Sequence, residues 1–277
     1  MYKIVCLDLD GTLLNDEKQV SQFNLQVLEA LYYNGIEIAI ATGRGLSKTA
    51  DLIKNFNFPH IIIANNGAIA KYSNFNNILF YNPIDFKSYE KILEISANKN
   101  MYPYLHIFDS KNERSLIIPN EVEKEKHIGS VSRLDEIIHN KEAGMEELKN
   151  ILSVVYIDEV EKVHKLNKDI LKLRLDLSTH ILSSYLRGNV MVEYLNPLAQ
   201  KSIGISNYLK YKNISWKEVI SFGDDNNDIE MIKASGLGIC MKNGSDLLKL
   251  NSRYISKYTN NEDGVGRELV EIFGGIL

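Results

Sequence analysis

Apolar residues in this chain come in short runs separated by amphipathic stretches. Ile4 to Leu9 is a short apolar run ending in acidic residues and Gly11, the pattern of a buried strand. Between Phe23 and Asn34, the residues Phe23, Val27, Leu28 and Leu31 recur at helical spacing, and Gly35 stands where a helix would stop. Ile36 to Ala41 predicts a second strand, Leu46 to Phe56 a second helix and His60 to Ala64 a third strand, followed by Asn66-Gly67 as a hairpin signal. This β-α-β-α-β order predicts a parallel sheet with helices on its faces. The same order returns near the end of the chain: helix over Lys201–Tyr211, strand over Val219–Phe222, helix over Asp228–Ala234 and strand over Gly236–Met241. A short helix at Leu247–Leu250, a strand at Arg253–Ser256 and a last helix over Gly266–Phe273 complete it.

The middle of the chain has a different rhythm. Helices are expected over Tyr89–Ala97 and Glu159–Leu171, and strands over Tyr102–Phe108, Arg114–Ile118, Ile151–Ile157 and Leu173–Leu177. Ile181–Leu186 and Val190–Leu195 read as a hairpin around Arg187-Gly188-Asn189, while Asn120–Leu148 is charge-rich and gives no clear period. Runs of strands with a few helices predict a separate α+β domain inserted into the first. The expected class is therefore α/β: a doubly wound parallel sheet in residues 1–82 and 191–277, with an inserted α+β domain at 83–190.

Composition changes this picture little. The chain has 277 residues, 44% hydrophobic and 25% charged, as in ordinary globular proteins. Its two cysteines, Cys6 and Cys240, sit in apolar runs and form neither a metal-type spacing nor a disulfide framework. A net charge of −4 with interspersed signs gives no footprint for nucleic acid. The first apolar run is broken by Asp8 and Asp10, so neither a signal peptide nor a membrane span is expected, and the default setting is cytoplasmic.

Chemistry concentrates at predicted strand ends, where open parallel sheets bind ligands. Asp8-Leu9-Asp10-Gly11-Thr12 follows the first strand. One carboxylate can take a phosphoryl group as a nucleophile, and a second, two residues on, can act as acid and base. Gly11 allows close backbone approach. The same residues also suit an ordinary Asx-rich turn. Gly223-Asp224-Asp225-Asn226-Asn227-Asp228 follows another strand and is rich in the hard oxygen ligands that Mg²⁺ prefers, although helix capping would use some of them. The alternating spacing and final Glu of a calcium loop are missing. Ala41-Thr42-Gly43-Arg44-Gly45 ends a strand and opens a helix, so the Thr42 hydroxyl and Gly43 amide suit phosphate; Lys48 occupies the third glycine position of a dinucleotide fingerprint, which is rejected. Lys201 can neutralise a transferring phosphoryl group, though a lone lysine is ordinarily a solvated surface residue. The six histidines are scattered; His106 is a candidate for substrate contact in the inserted domain, and the others read as structural or surface.

Together, DLDGT at 8–12, Thr42 in ATGR, Lys201 and GDDNND at 223–228 resemble in order and spacing the four motifs of the haloacid dehalogenase superfamily. The Asn65-Asn66-Gly67-Ala68 run and the large insertion are similar to its Cof-type phosphatases. The resemblance covers essentially the whole chain and implies a Rossmann-like core with an inserted cap. It implies Asp8 as nucleophile and Asp10 as general acid and base. Mg²⁺ would be held by the Asp8 side chain, the Asp10 main-chain carbonyl and Asp224. Leu9, Thr42, Gly43, Lys201 and Asn227 would bind phosphate, with Gly11, Thr12, Arg44, Asp225 and Asp228 in support. The implied activity is hydrolysis of a small phosphorylated metabolite (a sugar phosphate, nucleotide or phosphorylated cofactor) through an aspartyl-phosphate. Two alternatives stay open: a phosphomutase of the same superfamily, and a phospho-aspartate signalling or binding protein. The resemblance leaves substrate and oligomeric state undetermined.

Overall fold

The computed structural model describes residues 1–74, 78–108, 116–118, 137–139, 148–183 and 188–274. They form two compact units, one from 1–81 with 199–277 and one from 82–198.

The first unit opens with β1 (Ile4–Leu7), α1 (Gln22–Tyr33), β2 (Glu37–Ala41), α2 (Leu46–Leu52), β3 (Ile61–Ala64), β4 (Ile69–Tyr72) and β5 (Ile78–Tyr81). The second unit comprises α3 (Phe86–Ala97), β6 (Tyr104–Ile107), β7 (Leu116–Ile118), β8 (Ile137–His139), β9 (Ile151–Glu159), α4 (Val160–Lys172), β10 (Ser178–Ser183) and β11 (Asn189–Leu195). The chain then returns through α5 (Lys201–Lys212), β12 (Val219–Gly223), α6 (Ile229–Ala234), β13 (Leu237–Cys240), α7 (Asp246–Asn251), β14 (Tyr254–Ile255) and α8 (Gly264–Phe273).

In the first unit the strand order is β14-β13-β12-β1-β2-β3-β4-β5. Strands β14 through β3 run parallel, and β4 and β5 add an antiparallel edge. The hairpin signal at Asn66-Gly67 corresponds to the antiparallel β3–β4 pair, whereas β5 had no forewarning in the sequence. All four residues of β1 are fully buried, because both faces of the sheet are covered. Ile4 and Cys6 join Ile205 and Leu209 of α5 in one cluster, while the alternation of a strand turns Val5 and Leu7 to the opposite face. The Ser21 hydroxyl accepts from the Asn24 amide and caps α1, so this helix begins where its apolar stripe begins. β1 pairs with β2 on one side and β12 on the other, and successive connections depart in opposite directions. The sheet's switch point therefore lies between β1 and β12, and the crevice at their carboxyl ends is where such sheets bind ligands.

The second unit has a six-stranded sheet in the order β10-β11-β9-β6-β7-β8, antiparallel except between β7 and β8. Helices α3 and α4 bury Ile92, Val163, Leu166 and Ile170 in its core. The chain leaves this unit after Leu198 rather than at residue 190, because all of β11 pairs with β9 and β10. The strand expected over Leu173–Leu177 is absent. Arg174 takes φ 50°, turning the chain out of α4, and pairing starts only at Ser178. Leu175 and Leu177 alternate because they pack on the core, not because they belong to a ladder. Similarly, α2 stops at Leu52 rather than Phe56, and Phe56 stacks on Phe58 with ring centroids 4.9 Å apart. Most of Asn120–Leu148, and residues 184–187 of the expected hairpin, lie outside the described residues. No described helix is long and apolar enough to cross a membrane.

Candidate active site

Strand β1 delivers Asp8 to the carboxyl edge of the sheet, where its amide donates to the Phe222 carbonyl of β12 at 3.1 Å. The same pairing carries Asp224 and Asp228 to that edge from the other side. Carboxylate oxygens of Asp8, Asp224 and Asp228 all lie within 4.8 Å of one another. Lys201, from the first turn of α5, reaches this cluster with its ammonium 2.6 Å from Asp8 Oδ1 and 2.8 Å from Asp228 Oδ1. It is 2% exposed and Asp228 is fully buried, so Lys201 is an interior cation rather than an ordinary solvated lysine.

The electrostatics follow from burial and spacing. Burial pushes the Asp8 carboxyl well above the usual carboxylate range; Lys201 opposes that push, and Asp228 and Asp224 add to it. Burial, then repulsion from Asp228, raises the Asp224 carboxyl to about 6. Burial alone would lower the Lys201 ammonium, but Asp228 and Asp8 outweigh it and hold the group above its ordinary value. Three crowded carboxyl groups facing one cation are donors of the kind that suit a hard divalent ion.

Within the cluster the acids have different duties. Asp228 Oδ1 is taken by Lys201, while its Oδ2 accepts from the amides of Asp224 and Asp225 at 3.1 and 3.2 Å. Both oxygens are thus engaged in holding the loop and the lysine. Asp225 caps the turn 226–228 through the Asn226 amide and has no place in the cluster. Asp224 accepts from the Thr12 hydroxyl at 3.2 Å, which ties the loop after β1 to the loop after β12. The Asn243 side-chain amide donates to the Gly11 carbonyl at 2.7 Å, a contact from a residue the sequence did not single out.

Gly11 has φ +70°, and a Cβ there would overlap the Asp224 carboxylate. Gly11→Ala is expected to cost about 1–3 kcal/mol through its left-handed backbone alone, read as a lower urea midpoint. It should also displace Asp224, whose carboxylate the new Cβ would overlap. Unchanged stability would show that the turn accommodates a side chain.

Asp10 is turned away from the three acids. Its carboxylate accepts from Arg44 Nε at 2.5 Å and Nη2 at 2.6 Å, and from Lys18 Nζ at 2.8 Å. Burial would raise this carboxyl, but the hydrogen bonds and charges of Arg44 and Lys18 outweigh burial and hold it at about 2. The two cations therefore keep Asp10 ionised. Lys18 went unnoticed in the sequence because it stands in a polar turn with no motif around it.

Thr42 is buried at the end of β2, and its hydroxyl accepts from the Arg44 amide at 3.2 Å, which aims the hydroxyl proton elsewhere. The carbonyl of Leu9 accepts from the amides of Thr12 and Leu14. Gly43 lies beside Asn66, whose Oδ1 accepts from Asn227 at 3.0 Å. His106 sits on β6 in the second unit and takes no part in this cluster.

The family profile described as haloacid dehalogenase-like hydrolase matches residues 5–269. A Bacillus subtilis protein named 5-amino-6-(5-phospho-D-ribitylamino)uracil phosphatase YitU is 25% identical over 98% of this chain and 97% of its own. The Bacillus subtilis putative phosphatase YxeH is 27% identical over 98% of each chain. A haloacid dehalogenase-like hydrolase from Bacteroides thetaiotaomicron shares the fold, with a TM-score of 0.81 at 23% identity over 99% of this chain and 100% of that one. A Thermotoga maritima crystal structure gives a TM-score of 0.78 at 25% identity, covering 98% of this chain and 97% of that one. With a profile match spanning nearly its whole length, and acids and lysine from three of its four motifs brought to one sheet edge, the chain belongs to the haloacid dehalogenase-like hydrolases.

Proposed function

We propose that the protein is a Mg²⁺-dependent phosphatase that hydrolyses a small phosphorylated metabolite through an aspartyl-phosphate on Asp8. The observation that carries this is the buried Asp8–Lys201–Asp228 arrangement with Asp224 alongside, at the switch point of the sheet. The phosphatase names of YitU and YxeH support the reaction class.

The donor set fits a hard divalent cation: carboxylates only, crowded enough to raise Asp224 to about 6. Asp8 and Asp224 would hold it through their side chains, and Asp10 through its main-chain carbonyl. Bound there, Mg²⁺ would supply the charge that lets an anionic nucleophile approach an anionic phosphate. Asp8 then attacks phosphorus, forming an Asp8–phosphorus bond as the bond to the leaving oxygen breaks. Lys201, Thr42, Asn227 and the amides of Leu9 and Gly43 hold the equatorial oxygens. Asp10 gives its proton to the leaving oxygen, which requires that its carboxyl first leave Arg44 and Lys18 and take up a proton. In the second step a water attacks phosphorus, Asp10 accepts the water's proton, and the Asp8–phosphorus bond breaks to release inorganic phosphate. Substrate selection is assigned to residues 82–198, since the groups above deal only with phosphate and cation.

Phosphate release over a panel of sugar phosphates, nucleotides and phosphorylated cofactors, with and without Mg²⁺, tests this reading. Turnover that needs Mg²⁺ is expected. Phosphate transfer to a sugar with no free phosphate points to a mutase, and a long-lived phospho-Asp8 to a signalling protein.

Stability supplies a separate check on the cation. The Asp224 carboxyl is raised from an ordinary value near 4 to about 6 on folding. Between those pH values the folded chain binds a proton that the unfolded chain has lost. Metal-free stability therefore falls as pH rises from about 4 to about 6. Mg²⁺ takes the proton's place, so its stabilisation grows across the same window. Thermal unfolding with and without Mg²⁺ at pH 5 and pH 7.5 should show the larger shift at pH 7.5; equal shifts would remove Asp224 from the ligand set.

A further inference from the structure

The turn Asn65-Asn66-Gly67 has no role in the chemistry above, yet it touches three of the loops that perform it. All three residues are buried, with φ values of 48°, 54° and 98°. Consecutive left-handed residues, two of them not glycine, persist only where their surroundings hold them. The Asn65 and Asn66 amides donate to the carbonyls of Arg44 and Thr42 at 2.8 and 2.9 Å, which binds the turn to the loop after β2. Gly67 packs against the carbonyl of Gln200, the residue before Lys201, so closely that a Cβ would overlap it. Asn66 then reaches the third loop, accepting from Asn227 Nδ2 at 3.0 Å. The same carboxamide lies flat against Gly43, where an added Cβ would meet Oδ1 at 3.2 Å and Nδ2 at 3.4 Å.

We infer that Asn66 is a positioning residue: its carboxamide sets the separation between Gly43 and Asn227 and so presets the phosphate-binding geometry. Asn227 is exposed on its loop, and a side chain that must hold an anion in one place needs such a partner. The inference rests on the proposed phosphatase reading for the roles of Gly43 and Asn227, but it can be tested without turnover.

The test is inorganic phosphate binding by calorimetry in the presence of Mg²⁺, on the full chain, with kcat/KM measured alongside. Asn66→Gly keeps the left-handed backbone and removes only the carboxamide. It should weaken phosphate binding roughly five- to tenfold, the scale of one neutral hydrogen bond, with Mg²⁺ affinity and the unfolding midpoint close to wild type. Asn227→Ala should weaken phosphate comparably, and the double variant should be no worse than the poorer single one, because both remove one coupled unit. Asn66→Asp keeps the size and backbone tolerance; its charge beside Gly43 should weaken phosphate more than Asn66→Gly does. Phosphate affinity within twofold of wild type in both Asn66 variants, or losses that multiply in the double variant, overturns the inference. Weakened phosphate binding in a protein that hydrolyses nothing would uphold it and refute the phosphatase reading. A wild-type chain that binds no phosphate refutes both.

Discussion

Asp8→Asn is expected to lower kcat by roughly 10⁵–10⁶-fold, the scale of losing a covalent nucleophile. No neighbouring group can take over. Asp228 has one oxygen on Lys201 and the other on two backbone amides, and Asp224 is tied to Thr12. Asp10 points to Arg44 and Lys18. The amide should leave the fold intact, since its oxygen can still accept from Lys201. Removing one of three crowded carboxylates also relieves repulsion, so metal-free Asp8→Asn should unfold at the wild-type temperature or above it. Burial together with the repulsion of Asp224 and Asp228 already disfavours an ionised Asp8, which is why this variant should not be fragile. Steady-state phosphate release and thermal unfolding read the two effects separately. Activity within a hundredfold of wild type on any good substrate would place the nucleophile elsewhere.

Lys201→Met should do the opposite to stability. The ammonium is buried between Asp8 and Asp228, and methionine fills its volume without its charge. Breaking a buried pair from one side strands the remaining charges, at a cost of about 3–5 kcal/mol. For a chain of this size that corresponds to a fall in Tm of roughly 6–20 °C. Adding Asp228→Asn should recover part of the loss, because one of the two stranded carboxylates is then neutral. Phosphate binding should stay weak in both variants, since neither restores the cation. A Lys201→Met protein that melts within about 2 °C of wild type would mean that the buried triad contributes little, and Lys201 would then matter to ligand binding alone.

Much of the frame was legible in the chain itself. Periods of two and 3.6 and the glycine after α1 are local features, and local features survive without tertiary information. They predicted the parallel strands β1, β2, β3, β12 and β13, and so put Asp8, Thr42 and Asp224 at strand ends. Where apolar residues serve packing rather than a ladder, as at Leu175 and Leu177, the same periods misled. The hairpin pairing of β11 decided where the inserted unit ends, because strand partners far along the chain outweigh a local change of rhythm.

The site divides in the same way. The sequence by itself determined which acids cluster near strand ends, since strand-turn patterns and Asp-rich loops are written within a few residues. Which partners each acid meets was decided only by the tertiary structure. Lys201, marked in the sequence by its place among the motifs, is brought to Asp8, 193 positions away, only by the crossovers. Asp228 rather than Asp225 holds that lysine because the turn at 226–228 points one acid inward and uses the other as its cap. Asp10 is ionised because Arg44 and Lys18 converge on it, and Asn66 matters because it meets Asn227 from another loop. Charge and hydrogen bonding act through space over a few ångströms, so their outcome is fixed by topology and not by neighbours in the chain.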